Sequence, residues 1–523
     1  MQVRGFGGVT VWLPRRAVVK GKRPGGGRSA GALGLEREGA EVPGPQPDHR
    51  FVVRTMLKYC YSLRMNLMRT IVMKRRAVAL VGAGMLALSA CSAGGGSSSG
   101  SSDGGGEAAP STDRTEVGAL SPRIVLAHEG GITTLDSSDG STLGSEELEG
   151  YVRLNPAGDG RNVAVSASDA ITMYDTGLLA QGHGDHFHYY VQEPTLTDLT
   201  VEAPHPGHVV PHGDRTALFS DGTGEVTVID PAALGEGQLE ILEQTSTEDP
   251  HHGVAVPLSD GGKLVTQGTE EERSTVQVLD EDGKVTAETD DCPGVHGEAA
   301  AQPTESGDVI SLGCENGSVI YRDGEFHKVD IEGDYQRSGN QMGHEDSPIV
   351  LADHKVEADP AGGIERPTEV ALIDTRDDTQ QIVDLGSEYW FRSLDRGPDG
   401  EALVLTADGE LNILDPETGE ILHEVPVTGE WTEPEQWQAP GPMLDVADGT
   451  AFVVDPEAKK LTMVDVASGE VYRELDLPVV PHEIQVTTGT ASGEYEVAPG
   501  ADDEAAEDSA ASDGGGDHEG HDH

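Results

Sequence analysis

The chain has 523 residues, with 35 Lys and Arg against 93 Asp and Glu and a net charge of −58. That balance excludes a nucleic-acid partner, since the phosphate backbone would be repelled, whereas it attracts cations, divalent metals included. Aromatic residues are 4% and glycines number 69, a composition of short strands and frequent turns rather than of a helical bundle.

Residues 1–72 are basic, glycine-rich and aperiodic. We expect them to derive from an upstream start codon and to be absent from the mature protein. Residues 73–90 read as a secretion signal. Lys74, Arg75 and Arg76 supply the positive start, and an apolar stretch over 77–88 follows that is short for a membrane span. Leu88-Ser89-Ala90-Cys91 resembles a lipobox. That resemblance implies cleavage behind Ala90, lipidation of Cys91 and an extracytoplasmic protein held on the outer face of the cell membrane by its lipid anchor alone. Residues 91–121, rich in Gly and Ser at their start, form a tether.

From residue 122 the pattern changes. Alternating apolar strands close on Asp136, Asp175, Asp230, Asp280, Asp323, Asp374, Asp415 and Asp465, about 47 residues apart on average. Most are preceded by a second apolar strand, such as Ala217-Leu218-Phe219-Ser220, and followed by a Gly-containing turn. The expectation is an all-β fold over 122–488, a β-propeller of eight four-stranded blades, with seven as the alternative. The first copy lacks an inner strand and the strand at 482–486 lacks a blade, so the N- and C-terminal strands together should close the ring. Residues 489–523 are expected to be an acidic, disordered tail with a His-rich end.

Cys60 lies upstream of the signal, which leaves Cys292 and Cys314 as an even pair in an oxidising compartment. They are expected to form a disulfide. Cys292-Pro293-Gly294-Val295-His296 leaves thiolate ligation of a metal as the competing reading.

The histidines carry the functional signal. His208, His252 and His296 follow one another in 44-residue steps, and His344 and His482 open similar segments. Equivalent positions of successive blades face one channel, and imidazole is the commonest metal-binding side chain. Zinc takes about four N, O or S ligands, so His208, His252 and His296 form the first choice, with His344 and His482 as further candidates. A lone inner-strand histidine is more often a hydrogen-bonded core residue, and recurrence at equal spacing shifts that balance.

A second group is Gly182-His183-Gly184-Asp185-His186-Phe187-His188, in which His186 and His188 would share one face of a strand and Asp185 could ligate or orient a ring. His518, His521 and His523 in the tail would make a weak, exchangeable site. His128, His327, His354 and His423 read as structural or exposed. Copper-type sulfur sites are disfavoured by the scarcity of Met and by the Cys spacing, and calcium by the use of imidazole. Manganese, nickel and Cu(II) stay open.

The segment 182–188, together with Pro206-Gly207-His208, Pro250-His251-His252-Gly253, Gly294-Val295-His296-Gly297-Glu298 and Pro481-His482-Glu483, resembles the AztD-type zinc metallochaperones over residues 122–488. The resemblance implies an exported propeller that passes zinc to the solute-binding protein of a zinc ABC importer by ligand exchange. It is then not an enzyme, and we expect a monomer. Two other classes stand beside it. One is a lactonase-like or other hydrolase using a metal-activated water, against which no Ser/His/Asp motif is found. The other is a metal-free interaction propeller.

Overall fold

A computed structural model describes residues 114–183 and 186–490, excluding the side chains of His183 and His186. The expectations for residues 1–72, the signal over 73–90, Cys91, Asp185 and the tail histidines His518, His521 and His523 lie outside the described residues. Among the described residues no helix is long and apolar enough to cross a membrane.

The fold is all-β. Among the described residues there are nine antiparallel sheets: seven of four strands, one of four extended by the short parallel strand Gln336–Arg337, and one of three. The eight larger sheets repeat one plan in which consecutive strands pair as a meander. The Asp-closed segments are the third strands of these eight sheets, for example Gly131–Asp136, Glu225–Asp230 and Lys460–Asp465. The recurring aspartate has a local cause. In most copies its carboxylate accepts backbone N–H groups two or three residues ahead and so closes the following turn. Asp415 takes those of Glu417 and Thr418, and Asp465 takes that of Ser468.

The last strand, Pro481–Thr487, pairs antiparallel with Arg123–His128 and supplies the first position of that sheet. Pro481–Thr487 also touches the first strands of two other sheets, Val152–Pro156 and Met443–Ala447. The apolar core is spread over the seams between consecutive sheets. Leu264, Val276, Cys292, Ile310 and Leu312 fill one seam, and Ile124, Leu135, Phe452 and Met463 another. Small aliphatic side chains suffice because facing sheets interdigitate. A cavity of about 1030 Å³ runs among the first strands, and each of the eight contributes to its wall.

One feature breaks the repeat. Strands Leu178–His183 and His186–Val191 form a hairpin inserted in sequence between Ala170–Asp175 and Thr195–Glu202, the third and fourth strands of one four-stranded sheet, and with Thr115–Val117, within the stretch expected to be tether, it makes the separate three-stranded sheet.

Candidate metal centre

Three successive sheets bring His208, His252 and His296 together. His208 is the third residue of the first strand Pro206–His212. His252 sits in the bend before Ala255–Pro257, and His296 opens His296–Thr304. The chain makes room for them with glycine. A Cβ on Gly207 would overlap the Asp221 carboxylate. Gly297 has a φ of +76°, and a Cβ there would lie 2.7 Å from the Gly339 carbonyl oxygen. Pairing with Gly307–Cys314 slips by a residue between His296 and Glu298. A bulge of this kind re-aims side chains, and here both His296 and Glu298 reach His208.

The ring centroids are 5.1 Å (His208–His252), 5.3 Å (His208–His296) and 5.0 Å (His252–His296) apart. One ring nitrogen from each lies within 4.8 Å of the others, the only such group of three or more among the described residues. Every Nδ1 is already engaged. His208 Nδ1 lies 2.9 Å from Glu298 Oε1, His252 Nδ1 lies 2.6 Å from Asp221 Oδ2, and His296 Nδ1 lies 2.6 Å from the Gly339 carbonyl oxygen.

A carbonyl or carboxylate oxygen can only accept, so each Nδ1 carries the proton and each neutral ring keeps a bare lone pair on Nε2. The Nε2 atoms of His252 and His296 stand 3.0 Å apart. Two bare lone pairs at that distance repel, and a cation between them removes the repulsion. Tetrahedral zinc with Zn–N bonds of about 2.05 Å would set its nitrogens roughly 3.3 Å apart, so the His252 and His296 rings need only a small adjustment.

The electrostatics separate the rings. Burial, reinforced by the His208 charge, holds the His296 imidazole well below its ordinary 6.5. Burial also works downward on His208, but the charge and hydrogen bond of Glu298 outweigh it and leave that ring raised. The outer oxygens of the two orienting carboxylates, Asp221 Oδ1 and Glu298 Oε2, are buried without hydrogen-bond partners. The centre therefore holds two carboxylates beside three imidazoles, a donor set whose charge a divalent ion balances.

The other candidates fall elsewhere. The structure does not bring His482 into the group of three rings. Its ring stacks on Tyr151 at 4.6 Å between centroids, and its Nε2–H donates to the Val152 carbonyl oxygen at 3.0 Å. The neighbouring Glu483, also buried, accepts from Arg153 (2.8 Å), Arg392 (2.9 Å), Tyr151 (3.2 Å) and the Leu154 N–H (2.9 Å). His344 is not in that group either. It follows its first strand, Gln341–Met342, instead of opening it, and its Nδ1 accepts the Asp346 N–H at 3.2 Å. It lines the cavity without joining the three rings.

His183, His186 and His188 belong to the inserted hairpin, where His183 and His186 face each other in register and His188 Nδ1 lies 2.8 Å from Glu116 Oε1. Cys292 and Cys314 are disulfide-bonded, with Cα atoms 4.8 Å apart. The thiolate reading of Cys292 is thereby replaced. Sequence reasoning did not place Asp221, Glu298 or the Gly339 carbonyl in the site. Glu298, two residues beyond His296, was within reach of a strand argument. Asp221, 31 residues from His252, carried no local signal.

No protein-family model matches the chain. The zinc chaperone AztD of Citrobacter koseri is 27% identical over 366 residues, which are 69% of this chain and 84% of that protein. Two solved structures of Citrobacter koseri AztD, one of them the apo protein, match 72% of this chain and the whole of theirs at 23% identity, with TM-scores of 0.60 and 0.61. The two chains share a fold.

Proposed function

We propose that this chain, a relative of the zinc chaperone AztD over 69% of its length, is itself a zinc-binding chaperone. In this reading it hands zinc to the solute-binding protein of a zinc ABC importer. The observation that carries the proposal is the group of three imidazoles whose ring nitrogens lie within 4.8 Å of one another and whose Nδ1 atoms are all engaged by fixed acceptors, which leaves each Nε2 lone pair available to a metal. We read the eight larger sheets as eight blades of a propeller closed by Pro481–Thr487, with the cavity as its channel. By the lipobox, the protein is anchored through Cys91 on the outer face of the cell membrane; we further propose that it acts as a monomer and as a carrier rather than an enzyme.

Zinc is cargo here, and the chemistry is ligand exchange. The three rings fill three positions of a tetrahedral ion and the fourth faces the cavity, which His208 and His296 line. Water or a donor group from the recipient occupies that position. A closed four-ligand site releases slowly, whereas an open one lets an incoming ligand bind before an imidazole leaves. Asp221, Glu298 and Gly339 keep each ring in the metal-binding tautomer through the exchange. The His-rich hairpin and tail serve as weaker collecting sites.

The test is zinc titration of the mature domain against a competing chelator, followed by mixing with the importer's binding protein. One tight zinc per chain and transfer faster than spontaneous release support the proposal. Absence of zinc after purification and after titration refutes it.

A further inference from the structure

The three-histidine centre has a covalent neighbour whose place in the fold bears on one ligand. Cys292 and Cys314 are bonded and fully buried, and each begins a segment that ends in the centre. From Cys292 the chain runs four residues to His296. It is held by the Cys292 N–H on the Ser274 carbonyl (3.2 Å), by the Gly294 N–H on the Arg273 carbonyl (2.8 Å), and by Arg273 Nε donating to the Val295 carbonyl (2.9 Å).

From Cys314 the second segment leads to the acceptor of the same ring. The Ser338 N–H donates to the Cys314 carbonyl (3.3 Å) and the Gln336 N–H to the Glu315 carbonyl (2.9 Å), so residues 336–339 are laid along 314–315. Gly339 then accepts from His296 Nδ1. The Glu315 N–H donates to the Pro293 carbonyl (2.8 Å) and ties the two segments beside the bond.

The ladder between His296–Thr304 and Gly307–Cys314 does not do this alone. It slips between His296 and Glu298, so the His296 end lies beyond the bulge, with Gly313 as its partner. A Cβ on Gly313 would overlap the Ser338 carbonyl and lie 2.6 Å from that of His296, which brings the ligand strand and the acceptor segment together over one face of Gly313. The disulfide is the constraint on the far side of the slip.

We propose that the Cys292–Cys314 bond is a positioning element of the metal centre, holding His296 and its Gly339 acceptor in metal-binding register. The inference rests on reading the three histidines as a zinc site. A disulfide that only staples the fold would change stability and leave metal affinity alone. One that positions His296 sets affinity through that ring.

The experiment is a double-mutant cycle on the mature chain. Zinc affinity is measured by chelator competition, and ligand geometry by the visible d–d bands of the cobalt-substituted protein. Replacing the pair (Cys292→Ala, Cys314→Ala) should weaken zinc binding about 10- to 100-fold, the range typical for lost outer support of a ligand, and alter the cobalt bands while the circular dichroism is kept. In a His296→Ala background the same replacement should change affinity less than about twofold, because its route of action is gone. A second pair, Cys292→Val with Cys314→Ala, refills buried volume and carries the test if the first does not fold.

Affinity within about twofold of wild type without the bond overturns the inference, as does an equal loss in the His296→Ala background. Failure of the wild-type protein itself to bind zinc refutes the metal-site reading instead, so the two failures are distinguishable.

Discussion

Glu298→Gln is the sharpest probe of how the site works. The side chain keeps its size and an oxygen that can accept from His208 Nδ1, now at 2.9 Å, but loses its charge. Two effects follow with different pH dependence. Above the range where histidine titrates, the ring loses a charge-assisted partner and becomes a poorer donor to zinc. Loss of such support costs about tenfold in affinity, roughly 1.4 kcal/mol. At lower pH the sign changes. Glu298 holds the His208 pKa above 6.5, so in the wild type protons begin to compete with zinc above that pH, and affinity falls as pH drops through the raised value. Without the carboxylate, burial becomes the dominant influence on the ring and the competition moves to lower pH. Chelator-competition titrations from pH 8 to pH 5.5 should show a variant weaker at pH 8 and losing less affinity on acidification. Superimposable curves for the two proteins, with the fold intact, would refute the role assigned to Glu298.

Three further outcomes are expected. Gly207→Ala puts a methyl group into the place of the Asp221 carboxylate, so it should displace the partner of His252 and weaken zinc binding about tenfold or more without touching a ligand, as read by the same titration. Glu483→Ala leaves the buried Arg392 guanidinium without its carboxylate and should cost about 3–5 kcal/mol of stability in denaturant unfolding, with zinc stoichiometry unchanged. The metal-free domain should lose thermal stability as pH falls below about 6.5. Burial lowers His251, His296 and His482, so the unfolded chain binds more protons there. The raised His208 opposes this only in part, and calorimetry across pH 8 to 5 measures the net slope.

Much of the architecture was legible because its signals are local. Each third strand is apolar and runs into an aspartate, most of which close the next turn, so Asp136 and Asp465 announce the same element 329 residues apart. The equal steps between His208, His252 and His296 were legible for the same reason, since three successive sheets of near-equal length return the chain to equivalent places. His344 and His482 show where that argument ends. Both lie near first strands, but His344 comes after its strand and His482 is turned onto Tyr151 and the Val152 carbonyl. Spacing reports the position of the backbone and not the direction of a ring. Asp221 was invisible because its partner belongs to the next sheet, and the Gly339 carbonyl because any residue could supply it.

The central claim is that one zinc sits among His208, His252 and His296. The anomalous difference map of a zinc-loaded crystal, recorded above and below the zinc edge, tests it most directly. A full-occupancy peak is expected about 2.0–2.1 Å from the Nε2 atoms of all three rings, with Asp221, Glu298 and Gly339 still on the Nδ1 side. A peak at His482 or His344, or none among the three rings at saturating zinc, would contradict it.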